Sequence, residues 1–515
     1  MPGRLEFEFG FAQPETETAC RRKRSGGPMR ILLMGDFSGR ANRGLLESGS
    51  ALAERPVVPV DIDNFEDVLF RFAPRLRLPL AEAAGQGVII GFRRLEDFHP
   101  DELYKRLEPF QALRRMRARL LDPASFEAAA AELRSGFDLP DTTPAEAAPA
   151  EERPAEDDEA TLERLLGRRP ADRPQARPGA GRAPDLTPFI KRIIAPHIAP
   201  SAPPHQDVYI AAVDEAIGGQ MRALLHHPAL QALEAAWRGV DRLTGGLETG
   251  EELKLYLLDV TKEELAADIQ GAGGDMASCG LHRLLVEQGS ETLGGEPWSL
   301  LAGDYSFGTG AGDLALLAAL GALGSRAGGP FVAAAHPGIL GCRSLHETPD
   351  PADWKGTDAG AGKGWRALRG SPMAPWIGLA LPRLLLRLPY GAKTDSVEGF
   401  EFEEFPAEAG HEAYLWGSPA FACALLIGRA FQERGWSMEP GDCLDIDDLP
   451  AHIRTGEDGP VMQPCAEVCL GERAMQAILG RGLMPFLSHR NRNAVRLARF
   501  QSIAEPPTAL AGPWG

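Results

Sequence analysis

A stretch at 137–186 breaks this chain into two parts of unlike size, and any fold must be built around it. Between 141 and 160 it carries eight acidic residues against one Arg, and between 163 and 182 six Arg against two acids. Pro/Ala-rich sequence with segregated charge buries too little apolar surface to offset the entropy of ordering it. It reads as a disordered linker. One helical pattern, ATLERLLGR at 160–168, interrupts it; its Leu162, Leu165 and Leu166 make either a docking motif or a transient helix without a partner. The expected organisation is a small module at 1–136, the linker at 137–186, and a larger module at 187–515.

In the small module, RILLMGDFSG (30–39) is a short apolar run closed by turn residues, the pattern of a buried strand. A second strand follows at 57–62. Behind Asp63-Asn64, residues Phe65, Val68, Leu69 and Phe72 recur at helical spacing, which predicts an amphipathic helix. VIIGF (88–92) reads as a strand, and 95–122 carries a helical period after Pro100. The module is a small α+β unit.

In the larger module, 207–243 predicts two helices around a break at Pro228. ELKLYLLDV (252–260) fits a strand entering a core, and helix TKEELAADI follows. WSLLAGDYSF (298–307), DLALLAALGALGSRAG (313–328) and PFVAAAH (330–336) give strand, helix, strand, the βαβ pattern of a mostly parallel sheet. An extended apolar stretch at 377–391, a long buried helix within 414–436 and short strand-like runs across 440–503 complete it. The expected class is mixed α/β, with 44% hydrophobic residues to fill the cores.

Charge narrows the function. With 54 basic against 72 acidic residues the formal balance is −18, which opposes phosphate neutralisation and so nucleic-acid binding. The longest apolar stretch, Leu314 to Leu323, is about half of the roughly 20 residues a spanning helix needs, so membrane insertion is not expected. Seven scattered Cys without an export signal read as reduced thiols in a cytoplasm.

No catalytic constellation emerges. The glycine loops GDFSGRANRG (35–44) and GDYSFGTGAGD (303–313) lack the Lys-Ser/Thr of a phosphate loop, and Gly308, Gly310 and Gly312 miss the dinucleotide spacing. His226-His227 point about 100° apart on a helix and read as a helix-end polar pair. Cys465 and Cys469 lack a helical context and further ligands. The acids Glu401, Glu403 and Glu404, or Asp445, Asp447 and Asp448, have the chemistry for calcium or acid/base work, against the simpler reading of solvated or partner-facing carboxylates. No Gly-x-Ser-x-Gly elbow is present. The expectation is a non-enzyme without cofactor or metal.

Longer phrases carry a resemblance. LLMGDFSGR (32–40), PVVPVDIDNFEDVLFRFAPRL (56–76) and FRRLEDFHPDELYKRLEPFQALRRMRARLLD (92–122) resemble the small contractile-sheath subunit of type VI secretion systems, TssB. LLHHPALQALEAAWRGVDRL (224–243), LKLYLLDVTKEEL (253–265), GGEPWSLLAGDYSF (294–307), PFVAAAHPGILG (330–341), GLALPRLLLRLPYGAKTDSVEGFEFEE (378–404) and YLWGSPAFACALLIGRAF (414–431) resemble the large subunit, TssC. The resemblance implies a structural role: protomers of paired small and large subunits stack as rings around an inner tube on a baseplate, contract to expel the tube, and are recycled by a AAA+ unfoldase.

Here both subunits share one chain, which enforces one-to-one stoichiometry and makes their association intramolecular. In the family, terminal arms cross between protomers by strand exchange, and the 137–186 segment takes up two of those termini. Its only local counterpart of the unfoldase-contact helix is 160–168. Arg490, Arg492, Arg496 and Arg499 are expected to pair with acidic strips such as Glu401 to Glu404 on a neighbouring subunit, surface solvation being the alternative. The rival to a polymerising sheath is a sheath-related adaptor or cap that docks without polymerising.

Overall fold

The computed structural model describes residues 26–79, 87–134, 187–194, 206–291, 295–355, 359–406, 409–456 and 459–514. The chain divides into two compact units, one formed by Met1–Leu107 with Gly218–Gly515 and the other by Glu108–Ile217. The first unit thus draws on both sequence modules.

Its strands are β1 (Met29–Gly35), β2 (Val58–Val60), β3 (Arg75–Leu78), β4 (Val88–Gly91), β5 (Leu253–Asp259), β6 (Leu300–Phe307), β7 (Phe331–Ala335), β8 (Ile377–Leu381), β9 (Leu384–Leu385), β10 (Trp416–Gly417), β11 (Asp445–Ile446), β12 (Ile453–Gly456), β13 (Gly459–Met462), β14 (Met484–Ser488) and β15 (Val495–Leu497). Nine of them form one sheet in the order β11-β15-β14-β8-β7-β6-β1-β5-β2. The six from β14 to β5 are parallel, and antiparallel strands close both ends. The remaining strands pair as β3–β4, β9–β10 and β12–β13.

The position of β1 organises the sheet. MRILLMG is apolar on both faces and almost wholly buried, so it is stable only where helices or other layers cover both sides. It pairs in parallel with β5, from Met29 opposite Leu253 to Gly35 opposite Asp259, and on its other edge with β6, Ile31 opposite Leu300. A strand from the small module therefore lies inside the sheet of the larger one. Helix Ala311–Ala327 shares one core cluster with Leu32, Met34, Leu301, Phe331 and Leu379. Helix Pro419–Arg434 packs on β6, β7 and β8 from outside that cluster, covering the opposite face.

Trp237, on helix Pro228–Gly246, fastens the N-terminal segment down. Its indole N–H donates to the Phe37 carbonyl at 2.8 Å, and its buried ring meets Phe37, Phe65 and Phe72 edge-on at centroid distances of 5.6, 5.9 and 5.7 Å. Phe65 and Phe72 stand on the expected amphipathic helix, Phe65–Phe72. Pro228 opens its helix at N1 after His227, whose Nδ1 accepts from the Ala229 N–H, so the break lies at 226–227.

The helical period at 95–122 is interrupted, against expectation. It becomes a turn at Leu95–Phe98 and helices Pro100–Arg106 and Glu108–Leu121, because Pro100 and Pro109 each start a new helix. The described residues of the second unit are mainly helical: Arg117 grips Asp214 at 2.5 and 3.0 Å, Gln206 donates to the Leu120 carbonyl at 2.7 Å, and Phe126 meets Tyr209 at 6.1 Å. Leu162, Leu165 and Leu166 lie outside the described residues.

Replacing Trp237 by Ala empties this aromatic contact and orphans the Phe37 carbonyl. The expected cost is about 3–5 kcal/mol, read as a lower denaturant midpoint with an unchanged slope; a change under about 1 kcal/mol would refute the role given to this ring.

Candidate functional site

Two buried ionic clusters and a third at the surface tie separate stretches of the first unit together. In the first, Glu264 belongs to helix Lys262–Gly271, where it completes a capping box with Thr261. Its carboxylate accepts from Arg55 at 2.9 and 3.0 Å, from Arg40 at 2.9 and 3.1 Å, and from the Glu47 N–H at 3.0 Å. Burial pushes its pKa up, but the hydrogen bonds from Arg55 and Arg40 outweigh that and hold it below the ordinary value. Ser38 adds a second bond across the same seam, its hydroxyl donating to Asp259 at 2.7 Å.

In the second, Arg387 is buried between two carboxylates, donating to Glu234 at 2.7 Å and to Glu404 at 2.7 and 3.0 Å. Arg238 donates to Glu234 at 2.7 Å and to the Tyr390 hydroxyl at 3.1 Å, and Arg387 stacks 4.2 Å from the Tyr390 ring centroid. Two carboxylates face two guanidiniums, so the cluster is neutral. Against its own burial, Arg387 and His226 hold Glu404 down at about 2. In the third, Arg383 donates to Glu467 at 2.9 Å and to Glu412 at 2.9 and 3.1 Å, with His411 beside them.

The glycine loops are filled by their own acids. Asp36 accepts from the Arg40 and Ala41 N–H groups at 2.6 and 2.9 Å, and Asp313 from the Gly308 N–H at 2.6 Å while pairing with Lys262. A phosphate there would meet fixed negative charge. Asp304, half-buried on β6, is pushed up to about 6 by desolvation. Cys465 is buried and its thiol, desolvated, is pushed up to about 11. Its Sγ donates to the Pro450 carbonyl, not toward a shared site with Cys469.

The expected inter-subunit residues behave unequally. Arg490 and Arg492 sit exposed on the β14–β15 turn, and Glu401 is exposed. Glu403 is exposed and accepts from the Ala392 N–H at 3.0 Å. Arg496 pairs with Asp445 at 2.5 Å and Arg499 donates to Gln501, so both side chains have partners within the chain. Glu404 is a correction: it is buried against Arg387 and is not part of a surface strip. Phe402 and Glu404 both turn inward while Glu401 and Glu403 turn out, an alternation legible in FEFEEF. Sequence reading missed Glu264, Glu234, Arg387 and the His411 group, whose members are far apart in the chain.

Comparison with known proteins now decides the family. The profile described as EvpB/VC_A0108, tail sheath N-terminal domain, matches residues 207–504. The chain belongs to the tail sheath family. A second profile, described as type VI secretion system, VipA, VC_A0107 or Hcp2, matches residues 13–135. The type VI secretion system sheath protein TssC1 of Pseudomonas aeruginosa is 36% identical over 307 residues, spanning 58% of this chain and 61% of that relative. The chain is thus a fusion of a TssB-like and a TssC-like part. The TssB-like part supplies β1 to β4 and the sheath part β5 to β15, so Arg40, Arg55 and Ser38 reach from one to the other.

Two buried carboxylates of the sheath chain make its stability depend on pH in the acid range. Glu404 and Glu467 are both held at about 2, below the ordinary 4.5, so their contribution is complete above pH 4.5 and lost as pH falls toward 2. Glu404→Gln is expected to flatten the fall in unfolding free energy across that window, at a cost of up to about 3 kcal/mol at neutral pH. An unchanged pH profile would contradict the pairing.

Proposed function

We propose that this chain is a structural, non-enzymatic subunit of a cytoplasmic type VI contractile sheath, polymerising around an inner tube and contracting to propel it. The observation that carries the reading is the sheet itself: the TssB-like strand β1 lies between the TssC-like strands β5 and β6, so one chain makes the interlocked pair. Fusion then supplies each lattice position with both halves in register.

The main sheet is poorly suited to growth at its edges. β2 carries Pro59 at one end, and β11 at the other is two residues long. Assembly is therefore assigned to other surfaces, among them the exposed apolar side chains Phe70, Ile89, Ile453 and Val461. The inner tube, a baseplate and a AAA+ unfoldase are the partners this role entails.

Negative-stain microscopy of the purified chain, alone and with its cognate tube protein, tests the reading. Hollow rods or cog-wheel rings are expected. Discrete particles under both conditions would replace it with the non-polymerising adaptor or cap.

A further inference from the structure

The turn His411–Ala413 and the loop carrying Glu467 bring together three donors that the sheath role does not use. Among the described residues, donor atoms of His411, Glu412 and Glu467 all lie within 4.8 Å of one another. Glu412 is exposed, whereas the side chains of His411 and Glu467 are only 8% and 10% exposed. His411 Nε2 stands 3.5 Å from Glu467 Oε1.

Arg383 satisfies the carboxylates, and the imidazole's one approach to them is the 3.5 Å contact of Nε2 with Glu467. Both ring nitrogens of His411 are buried without a hydrogen-bond partner. Stacking holds the ring, on His346 at 4.0 Å and on Trp416 at 4.7 Å between centroids. A buried polar atom without a hydrogen bond costs about 1–3 kcal/mol, which a metal ion bound at the imidazole would relieve.

One imidazole with two carboxylates is a donor set for a borderline first-row cation; magnesium and calcium favour oxygen alone. Bonds of about 2.0–2.2 Å in tetrahedral geometry place ligands roughly 3.3–3.6 Å apart, the separation already found between His411 and Glu467. Glu412 opens onto a cavity of about 310 Å³ shared with Arg343, Ser344, Arg383 and Glu467, which gives an ion a way in.

We propose that His411, Glu412 and Glu467 form a binding site for a single zinc ion, which pins the 411–413 turn to the loop carrying Glu467. Water completes the coordination. Arg383 keeps its hold on Glu467 through its backbone N–H while Glu412 turns toward the ion.

Isothermal titration of chelator-treated, thiol-reduced full chain with zinc chloride tests this, beside Glu412→Gln and His411→Gln. One saturable site is expected, weakened about tenfold or more by each substitution. Zinc should also raise the melting temperature of the parent chain and not of Glu412→Gln, each measured against its own zinc-free value. No saturable binding, or parent affinity in either variant, would overturn the site.

Discussion

The insertion of β1 between β5 and β6 is the constraint on which the rest of the structure depends. A six-residue apolar core, Arg30 aside, cannot tolerate water on either face, and parallel neighbours with helices above and below meet that demand. Once β1 is placed, its loop delivers Phe37 to Trp237 and Ser38 to Asp259. Arg40 and Arg55 then close on Glu264. Within the first unit, the N-terminal segment and the sheath part thus share one sheet.

Buried charges set how that unit tolerates change. Taking a carboxylate and a guanidinium out of water costs several kcal/mol each, and good geometry roughly offsets it, so such pairs contribute less net stability than specificity of arrangement. Glu264 with two guanidiniums and two N–H groups, and Arg387 between Glu234 and Glu404, have that geometry. Both of these clusters join elements more than a hundred residues apart in at least one contact. A misregistered packing would strand an unpaired charge, which is costlier than losing an apolar contact.

Local periodicity made most elements legible: the solidly apolar strands, the βαβ unit at 298–336 and the helices flanking Pro228 fall where hydrophobic spacing puts them. Pairing was not legible, because MRILLMG reads as a buried strand in any sheet, and nothing within it names Leu253 or Leu300 as neighbours. The break at 107–109 was written in Pro109 but hidden by a helical period on both sides. Glu404 misled for a similar reason: next to Glu401 and Glu403 it looks like a surface strip, and only its pairing with Arg387 reveals it as a buried partner. The His411 group left no local signal at all, since its members meet through loops.

Native-state hydrogen exchange on the amides of Ile31 to Met34 tests the central claim most directly. Flanked on both edges, these amides are expected to exchange only through global opening, at the same free energy as those of β5 and β6. Exchange of β1 through a separate, lower-energy opening while β5 and β6 stay protected would show that the N-terminal strand is merely docked, and would contradict the account.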